Sequence, residues 1–252
     1  MLKKGSTGAE VERWQTFLRG IDIYSEVIVT GFFDEITEIE TKAFQGMKGL
    51  KADGIVGPAT LAAAEKANYT EQNDVSWPQN PGIKNLSFID RQKLFGNFSY
   101  IPMPVPGNPE AIRITSNWAV DNITTITVPQ IIGLPGVGKT GSVQIHKKLA
   151  NQTSALFHAW ENAGLKDRIL SWGGSWVPRF IRGSRTSLSN HAWGTAFDIN
   201  AQWNGLGVQP ARMDQKGCVR ELVSIAVDYG FYWGGWFPKR PDGMHFEAYK
   251  VL

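Results

Sequence analysis

A short alternating stretch, residues 194–200, constrains the fold of this chain more than any other feature of its sequence. Along it, small or polar residues alternate with bulkier and mainly apolar ones. This period of two is typical of a β-strand with one buried face. We expect Asp198 on the strand face that carries the small residues, where Gly194 and Ala196 leave room for an ion and a substrate. His191 stands just before the strand, on a loop that can bring its imidazole over the carboxylate.

A second alternating stretch, residues 243–249, contains a further candidate metal ligand. The chain has four histidines, and two of them, His146 and His158, fall in stretches that we expect to be helical. His245 lies instead in the second alternating stretch, which we expect to be another strand. A catalytic zinc ion takes three protein ligands and keeps a fourth position for water, so His245 is the natural third ligand. Three residues earlier, Asp242 is close enough along the chain to act as a general base.

The pattern formed by these residues resembles that of a known family of zinc peptidases. It reads Ser189-x-His191-x-x-Gly194-x-Ala196-x-Asp198, then Trp233-Gly-Gly, then Asp242-x-x-His245-Phe-Glu. The family contains D-alanyl-D-alanine carboxypeptidases and L-alanyl-D-glutamate endopeptidases, and the resemblance covers roughly residues 86–252. It implies that His191, Asp198 and His245 bind one catalytic Zn2+ and that Asp242 is the catalytic base.

The resemblance also implies a substrate, the peptide stem of bacterial peptidoglycan. Many carboxypeptidase members carry Glu at the position of Asp242, whereas Asp is similar to the L-alanyl-D-glutamate branch. We therefore expect an L-alanyl-D-glutamate endopeptidase, with a D-alanyl-D-alanine carboxypeptidase or a crosslink endopeptidase as alternatives. The spacing of the residues does not separate these activities, because all three bonds are amides.

Other polar residues near the motif are candidates for supporting roles. Family members use an arginine upstream of the first zinc-binding histidine, and a guanidinium suits an oxyanion or a substrate carboxylate. Arg179, Arg182 and Arg185 all lie upstream of it. We favour Arg179 for this catalytic role, with Arg182 second. Ser189 is a candidate for binding substrate or fixing the first histidine, and Glu247 for orienting a metal ligand.

Residues 1–68 contain a short internal repeat, and the segment is predicted to form a small three-helix bundle. Gly31-Phe-Phe-Asp-Glu-Ile-Thr37 and Gly54-Ile-Val-Gly-Pro-Ala-Thr60 share a turn glycine, two apolar residues and a helix start. A further set of residues resembles the peptidoglycan-binding domain of wall hydrolases: Leu2-Lys-Lys-Gly5, Gly8-x-x-Val11-x-x-Trp14-Gln15, Phe44-Gln45 and Asp53-Gly-Ile-Val-Gly57-x-x-Thr60. That resemblance implies peptidoglycan as a partner, whereas helical periodicity alone also fits a bundle without a ligand.

The rest of the chain divides into a linker and a larger domain. Residues 69–85 are rich in Asn, Pro and Gly without periodicity, as expected of a linker. Residues 86–252 then form the zinc peptidase domain, which we expect to be α+β with a short antiparallel sheet that carries the ligands. Within it we predict helices at about 88–95, 143–163 and 219–229, and short strands at 112–114 and 123–128.

One motif points to a different class of protein. Gly133-Leu-Pro-Gly-Val-Gly-Lys-Thr140 matches the phosphate-loop pattern of nucleotide-binding proteins. A working site of that kind needs a parallel βαβ unit and a carboxylate elsewhere for magnesium. Pro129 interrupts the preceding stretch, and Gly141 weakens a helix start. We therefore expect a glycine-rich loop here rather than a nucleotide site.

The amino-acid composition argues against several other classes of protein. The 252 residues are 42% apolar, enough for buried cores, and no apolar run is long enough to span a membrane. The net charge of +3 is spread along the chain and predicts no nucleic-acid groove. Cys218 is the single cysteine, which excludes an internal disulfide.

The two resemblances imply a protein that acts on the bacterial cell wall, and we expect it to be a monomer. The first residues show no signal peptide, so we expect synthesis in the cytoplasm and action on the wall after release. A binding module joined to a wall-degrading domain without an export signal resembles a phage endolysin. A host wall-remodelling enzyme exported by another route, or a wall-binding protein without catalysis, is the alternative.

Overall fold

The computed structural model describes residues 1–21, 25–67, 69, 77–213 and 215–252. In these residues the α-helices are α1 (Ala9–Ile21), α2 (Glu35–Met47), α3 (Pro58–Glu65), α4 (Phe88–Phe95), α5 (Trp118–Asn122), α6 (Ala150–Asn162) and α7 (Val223–Asp228). The strands are β1 (Tyr100–Pro102), β2 (Ile112–Ile114), β3 (Ile123–Thr127), β4 (Ser142–His146), β5 (Trp172–Gly174), β6 (Ala196–Ile199), β7 (Phe231–Trp233) and β8 (His245–Ala248). This mixture confirms the predicted α+β class. None of the described helices is long and apolar enough to cross a membrane.

Helices α1, α2 and α3 enclose the first of two hydrophobic cores, which confirms the predicted helical module. The internal repeat in its sequence corresponds to two similar turns, each held by hydrogen bonds to a buried glutamine side chain. Gln15 Oε1 accepts a hydrogen bond from Gly31 N at 3.0 Å, and Gln45 Oε1 accepts one from Gly54 N at 2.9 Å. Both glycines have a left-handed backbone, with φ of 70° and 73°, a conformation that disfavours a side chain. The repeated residues therefore encode a repeated turn.

The second hydrophobic core surrounds an antiparallel sheet of four strands in the order β5-β6-β8-β7. Phe197 of β6 and Phe246 of β8 lie opposite each other, with stacked rings 5.5 Å apart. Trp160 of α6 packs edge-on against Phe246 and covers this face of the sheet. Asp198 and His245 are the next pair across the same two strands. Since side chains alternate along a strand, they project from the opposite face, as the alternating pattern predicted.

The predicted helix at 143–163 is wrong in its first part. Residues Ser142–His146 form strand β4, which pairs antiparallel with β3, and the helix begins only at Ala150. The buried residues Val143 and Ile145 alternate with exposed neighbours, which is the period of a strand. His146 is therefore a buried strand residue, and burial lowers its pKa to about 4, so it is neutral. The helical interpretation of His158, within α6, is correct.

The segment that matches the phosphate-loop pattern connects the antiparallel strands β3 and β4. A nucleotide-binding loop would instead lead from a strand into a helix within a parallel unit. One of its glycines has a packing role, because a Cβ on Gly136 would lie 1.9 Å from the carbonyl oxygen of Trp172. Trp172 N also donates to Pro135 O at 2.9 Å. The glycine-rich sequence thus serves close packing of this loop on strand β5.

Among the described residues, contacts of Val29 and Arg19 connect the N-terminal module to the second core. Val29 packs against that core, and the guanidinium of Arg19 lies 5.6 Å from the centre of the Trp77 ring. Trp77 falls within the predicted linker but is buried in the second core. Residues 70–76 of that linker, like Asn68 at the predicted module boundary, lie outside the described residues. The boundaries at 68 and 85 stay predictions.

Candidate metal centre

The paired strands β6 and β8 bring the three predicted zinc ligands together. Asp198 and His245 are opposite each other in the strand register, and His191 lies on the short 3₁₀ turn Asn190–Trp193 just before β6. His245 Nδ1 is 3.0 Å from Asp198 Oδ1, and His191 Nε2 is 3.2 Å from the same oxygen. The two imidazole nitrogens are 3.1 Å apart. All three side chains are buried.

This arrangement fits a zinc ion. Ligand bonds of about 2.0–2.1 Å in a tetrahedral site place the donor atoms roughly 3.3 Å from one another. The three donor atoms of the cluster are separated by 3.0–3.2 Å. Two imidazoles and one carboxylate are also a ligand set that zinc accepts. A fourth position is then left for a water molecule or a substrate oxygen.

Backbone contacts orient His191 toward the centre. Its Nδ1 donates to the carbonyl oxygen of Ser175 at 2.8 Å, which selects the tautomer whose Nε2 lone pair faces the other ligands. Ser189 precedes the 3₁₀ turn, and its hydroxyl accepts from His191 N at 3.4 Å. Gly194 ends the turn in a left-handed conformation with φ of 63°. The Ser189 hydroxyl thus caps the turn that carries the first histidine, and its predicted roles in binding substrate or fixing that histidine stay predictions.

Carboxylates on both sides determine the charge of His245. Its Nε2 donates to Glu247 Oε2 at 3.1 Å, while Nδ1 faces Asp198. Burial alone would lower the pKa of His245, but hydrogen bonds to Asp198 and Glu247 raise it to about 10. Burial alone would also raise the pKa of Asp198, yet the two imidazoles hold it well below its usual range. The centre therefore favours a positive charge at this point, either a proton or a metal cation.

Asp242 lies at the edge of the centre and has the properties of a proton acceptor. The residue is 9% exposed, and its Oδ1 is buried without a hydrogen-bond partner among the described residues. Burial raises its pKa to about 6; the charge of His245 opposes this shift and that of Asp198 adds to it. The backbone is held firmly, since Asp242 N donates to Gly234 O at 2.9 Å. A rigid carboxylate with one unpaired oxygen is well suited to take up a proton.

The three candidate arginines have different surroundings. Arg182 donates to Glu110 Oε2 at 2.7 Å and to Asn108 Oδ1 at 2.9 Å. Arg185 donates to the carbonyl oxygen of Pro109 at 2.7 Å. Both guanidiniums are thus engaged in holding the segment around residues 108–110, which favours a structural role.

Arg179 is the arginine whose charge interacts with the centre. Burial lowers its pKa, the charge of Arg182 lowers it further, and the carboxylates of Asp198 and Asp242 oppose the shift. Its backbone is fixed beside the first histidine, because Ser189 N donates to Arg179 O at 3.0 Å. The side chain donates only to the adjacent Phe180 O, at 3.1 Å, among the bonds of the described residues. Most of its donors therefore stay available for a substrate oxygen.

The sequence analysis did not identify Gly173 and Ser175 as neighbours of the centre, and it assigned to Gly194 a space that this residue does not provide. Gly173 of β5 allows close approach, since a Cβ there would lie 2.8 Å from the Cβ of Asp198. A Cβ on Gly194 would instead meet His146 N at 3.0 Å, so the space near Asp198 does not come from Gly194. Ser175 acts through its carbonyl oxygen, for which no side-chain signal exists.

Arg91 of α4 was also not foreseen. It is buried, with its guanidinium 5.6 Å from the centre of the Trp193 ring. Burial lowers its pKa, and the negative charge of Glu247 opposes that shift. Arg91 therefore places a positive charge near Glu247, the carboxylate that holds His245. Its spacing within an otherwise ordinary helix carries no signal of this contact.

Comparison with known protein families agrees with this geometry. Residues 182–248 match the family model described as D-alanyl-D-alanine carboxypeptidase, and residues 7–64 match the one described as putative peptidoglycan binding domain. A search of curated proteins found no match. The first matched range contains His191, Asp198 and His245. These matches confirm both resemblances, and together they support a peptidoglycan hydrolase with a metallopeptidase domain.

Proposed function

We propose that this protein is a zinc-dependent endopeptidase that hydrolyses an amide bond in the peptide stem of peptidoglycan. The observation that carries the proposal is the cluster of His191, Asp198 and His245, whose donor atoms lie 3.0–3.2 Å apart. The unpaired carboxylate oxygen of Asp242 beside this cluster supports a catalytic site over a structural one. A structural zinc site is closed by four protein ligands and needs no base.

The residues around the cluster divide the chemistry of hydrolysis among themselves. When bound, a zinc ion supplies a Lewis acid that activates water and polarises a carbonyl oxygen. Asp242 takes the proton of the attacking water and then gives it to the amine that leaves. Arg179 donates hydrogen bonds to the carbonyl oxygen of the scissile amide as negative charge develops on it. Glu247 keeps the His245 ring in place through Nε2, so that Nδ1 remains the ligand atom.

The bond that we propose is the one between L-alanine and D-glutamate. The support is Asp242 itself, because an aspartate at this position is similar to the endopeptidase branch of the family. Cleavage of the crosslink or of the terminal D-alanyl-D-alanine bond would use the same centre. We further propose that the protein works at the cell wall as a monomer, with residues 1–68 binding peptidoglycan, as in a phage endolysin.

Digestion of purified peptidoglycan with the zinc-loaded protein tests this function. Mass spectrometry of the fragments should show new N-terminal D-glutamate and lactyl-L-alanine ends. Release of free D-alanine would indicate the carboxypeptidase, and loss of dimeric fragments alone would indicate the crosslink endopeptidase. A protein that binds zinc and sediments with walls but releases no fragment would be a wall-binding protein without catalysis.

A further inference from the structure

A cleft between the two modules lies next to the segment that holds Asp242. It has a volume of about 800 Å³. One wall belongs to the N-terminal module and includes Val27, Ile28 and Ile36. The other wall comes from two loops of the C-terminal domain, residues 207–209 and 238–241. The cleft therefore exists only because the two modules are packed together.

The two C-terminal loops connect the cleft to the metal centre. Gly207 N donates to Pro241 O at 2.7 Å, and Leu206 forms a β-bridge with Asp242. Pro241, which lines the cleft, directly precedes the proposed base. A molecule seated in the cleft thus touches Pro241, directly before the proposed base, in one of the two bridged segments that hold the carboxylate in place.

The position of the N-terminal wall is fixed by a stack of cationic and aromatic groups. The guanidiniums of Arg19 and Arg220 lie 5.6 Å and 4.9 Å from the centre of the Trp77 ring. Trp77 in turn packs against Trp233 of β7, with ring centres 5.1 Å apart. Because α1 is joined in this way to the sheet that holds the metal ligands, the cleft has a defined width. It is a built feature of the fold.

The chemistry of the lining selects its occupant. Apolar walls, together with Pro238 and the exposed Val208, suit the methyl groups of alanine residues. Arg19 and Lys239 contribute two positive charges against the single carboxylate of Glu26, which favours an anionic ligand. The side-chain oxygen of Gln209 is buried without a hydrogen-bond partner among the described residues, so it can accept from a peptide N–H.

We propose that this cleft binds the part of the stem peptide beyond the scissile bond, through its carboxylates and amide groups. The inference rests on the proposed function, since it takes the stem peptide as the substrate. The peptidoglycan-binding module then does more than attach the protein to the wall. It supplies half of a substrate site that extends the metal centre.

Binding of a free stem tetrapeptide to the full-length, zinc-loaded protein tests this proposal. Asp242→Asn serves as the background, so that the peptide stays intact during calorimetry. Val208→Trp fills the cleft and Lys239→Glu reverses one of its charges. Each should weaken binding of the tetrapeptide by about tenfold, as expected for loss of roughly 1.4 kcal/mol of contacts. The matched controls Val120→Trp and Lys139→Glu, on exposed residues outside the cleft, should leave the affinity unchanged.

The outcomes separate this proposal from the proposed function. Unchanged affinity in both cleft variants would overturn the proposal, even if the wild type cuts peptidoglycan as expected. Weakened binding of peptide-free glycan strands, with the tetrapeptide unaffected, would overturn it in favour of a sugar occupant. Weakened tetrapeptide binding in a protein whose wild type cuts no wall would uphold the cleft and contradict the catalytic function.

Discussion

The buried glutamines of the N-terminal module and the buried carboxylates around the candidate metal centre differ in how completely they are hydrogen-bonded. In the N-terminal module, each buried glutamine has its donors and its acceptor occupied. Gln45 Nε2 donates to Ile55 O at 3.0 Å and to Thr60 Oγ1 at 3.1 Å, while its Oε1 accepts from Gly54 N. The equivalent Gln15 makes the same kind of contacts around the first turn.

Around the candidate metal centre, two buried carboxylate oxygens of the described residues lack partners. Asp242 Oδ1 and Glu247 Oε1 have no hydrogen-bond partner in the part of the chain that the structure describes. The pKa of Asp242 is raised to about 6 and that of His245 to about 10. An unpaired buried polar group costs about 1–3 kcal/mol, so a fold keeps it only where something else requires it.

The contrast separates polar groups that hold the fold from polar groups that do chemistry. Paired glutamines stabilise turns and should be replaceable without effect on the centre. Each of these two carboxylates leaves one buried oxygen unpaired, which costs stability, and we expect their use to lie in the proposed chemistry, with Asp242 moving a proton and Glu247 orienting His245. Substitution of a buried glutamine in the N-terminal module should therefore change the free energy of unfolding. Substitutions at the candidate metal centre should instead change zinc content and peptidoglycan hydrolysis.

The largest effect is expected for His245→Ala. Loss of one of three ligands should abolish both bound zinc and peptidoglycan hydrolysis, because two ligands do not hold the ion. Elemental analysis of the purified variant measures the zinc, and release of wall fragments measures activity. His158→Ala is the matched control, since this histidine is exposed and its Nδ1 lies 2.9 Å from Gln130 Nε2, away from the cluster. Full zinc content in His245→Ala would remove that residue from the centre.

Asp242→Asn should keep the zinc and lose turnover by on the order of a hundredfold or more, the usual contribution of a positioned general base. The control is Asp167→Asn, an exposed aspartate. The wild type should lose activity as the pH falls through the pKa of Asp242, since the base must be ionised. This pKa is about 6 without metal, and a bound cation lowers it, so the acidic limb should lie below pH 6. Loss of zinc from the variant would instead make Asp242 a fourth ligand.

Glu247→Gln should weaken zinc binding by roughly 10- to 100-fold, as is typical when a partner of a metal-binding histidine is changed. The amide keeps the size of the side chain but removes the charge that stabilises the His245 N–H. Titration with a competing chelator measures the affinity. Glu65→Gln, on an exposed position of α3, is the control. An unchanged affinity would show that the contact between Glu247 and His245 does not orient the ring.

The smallest effect on function is expected for Gln45→Leu. It leaves Gly54 N without its acceptor and should reduce the stability of the full-length protein by about 1–3 kcal/mol. Zinc content and cleavage of soluble stem peptides should stay at wild-type values. Denaturant unfolding measures the stability, with the exposed Gln202→Leu as the control. Loss of zinc in Gln45→Leu would show that the two regions are not independent.

Local patterns were sufficient for much of the fold. The helix predicted at 88–95 has those bounds, since Ser87 caps it by accepting from Asp90 N at 3.1 Å and Gly96 ends it with φ of 84°. Capping and left-handed glycines act within a few residues, so the sequence shows them directly. The same holds for the repeated turns of the N-terminal module.

Where local signals compete, the prediction was wrong. Val143 and Ile145 are compatible with a helix or a strand over so short a stretch. Pairing with β3 decided for the strand, through backbone hydrogen bonds to residues that lie about 20 positions earlier in the chain. The error also placed His146 in a helix, although it is a neutral residue of the buried core.

The sequence by itself determined which residues form the candidate centre, because the alternation of small, bulky and acidic residues marks the strand face on which Asp198 lies. The sequence also showed that the candidate ligands are two histidines and an aspartate, and that another aspartate stands three residues before His245. Only the tertiary structure decided the register that sets Asp198 opposite His245, the close approach permitted by Gly173, the engagement of Arg182 with Glu110, and the burial of Trp77 between two arginines. These features depend on contacts between residues far apart in the chain, and a period along one strand contains no information about its partner.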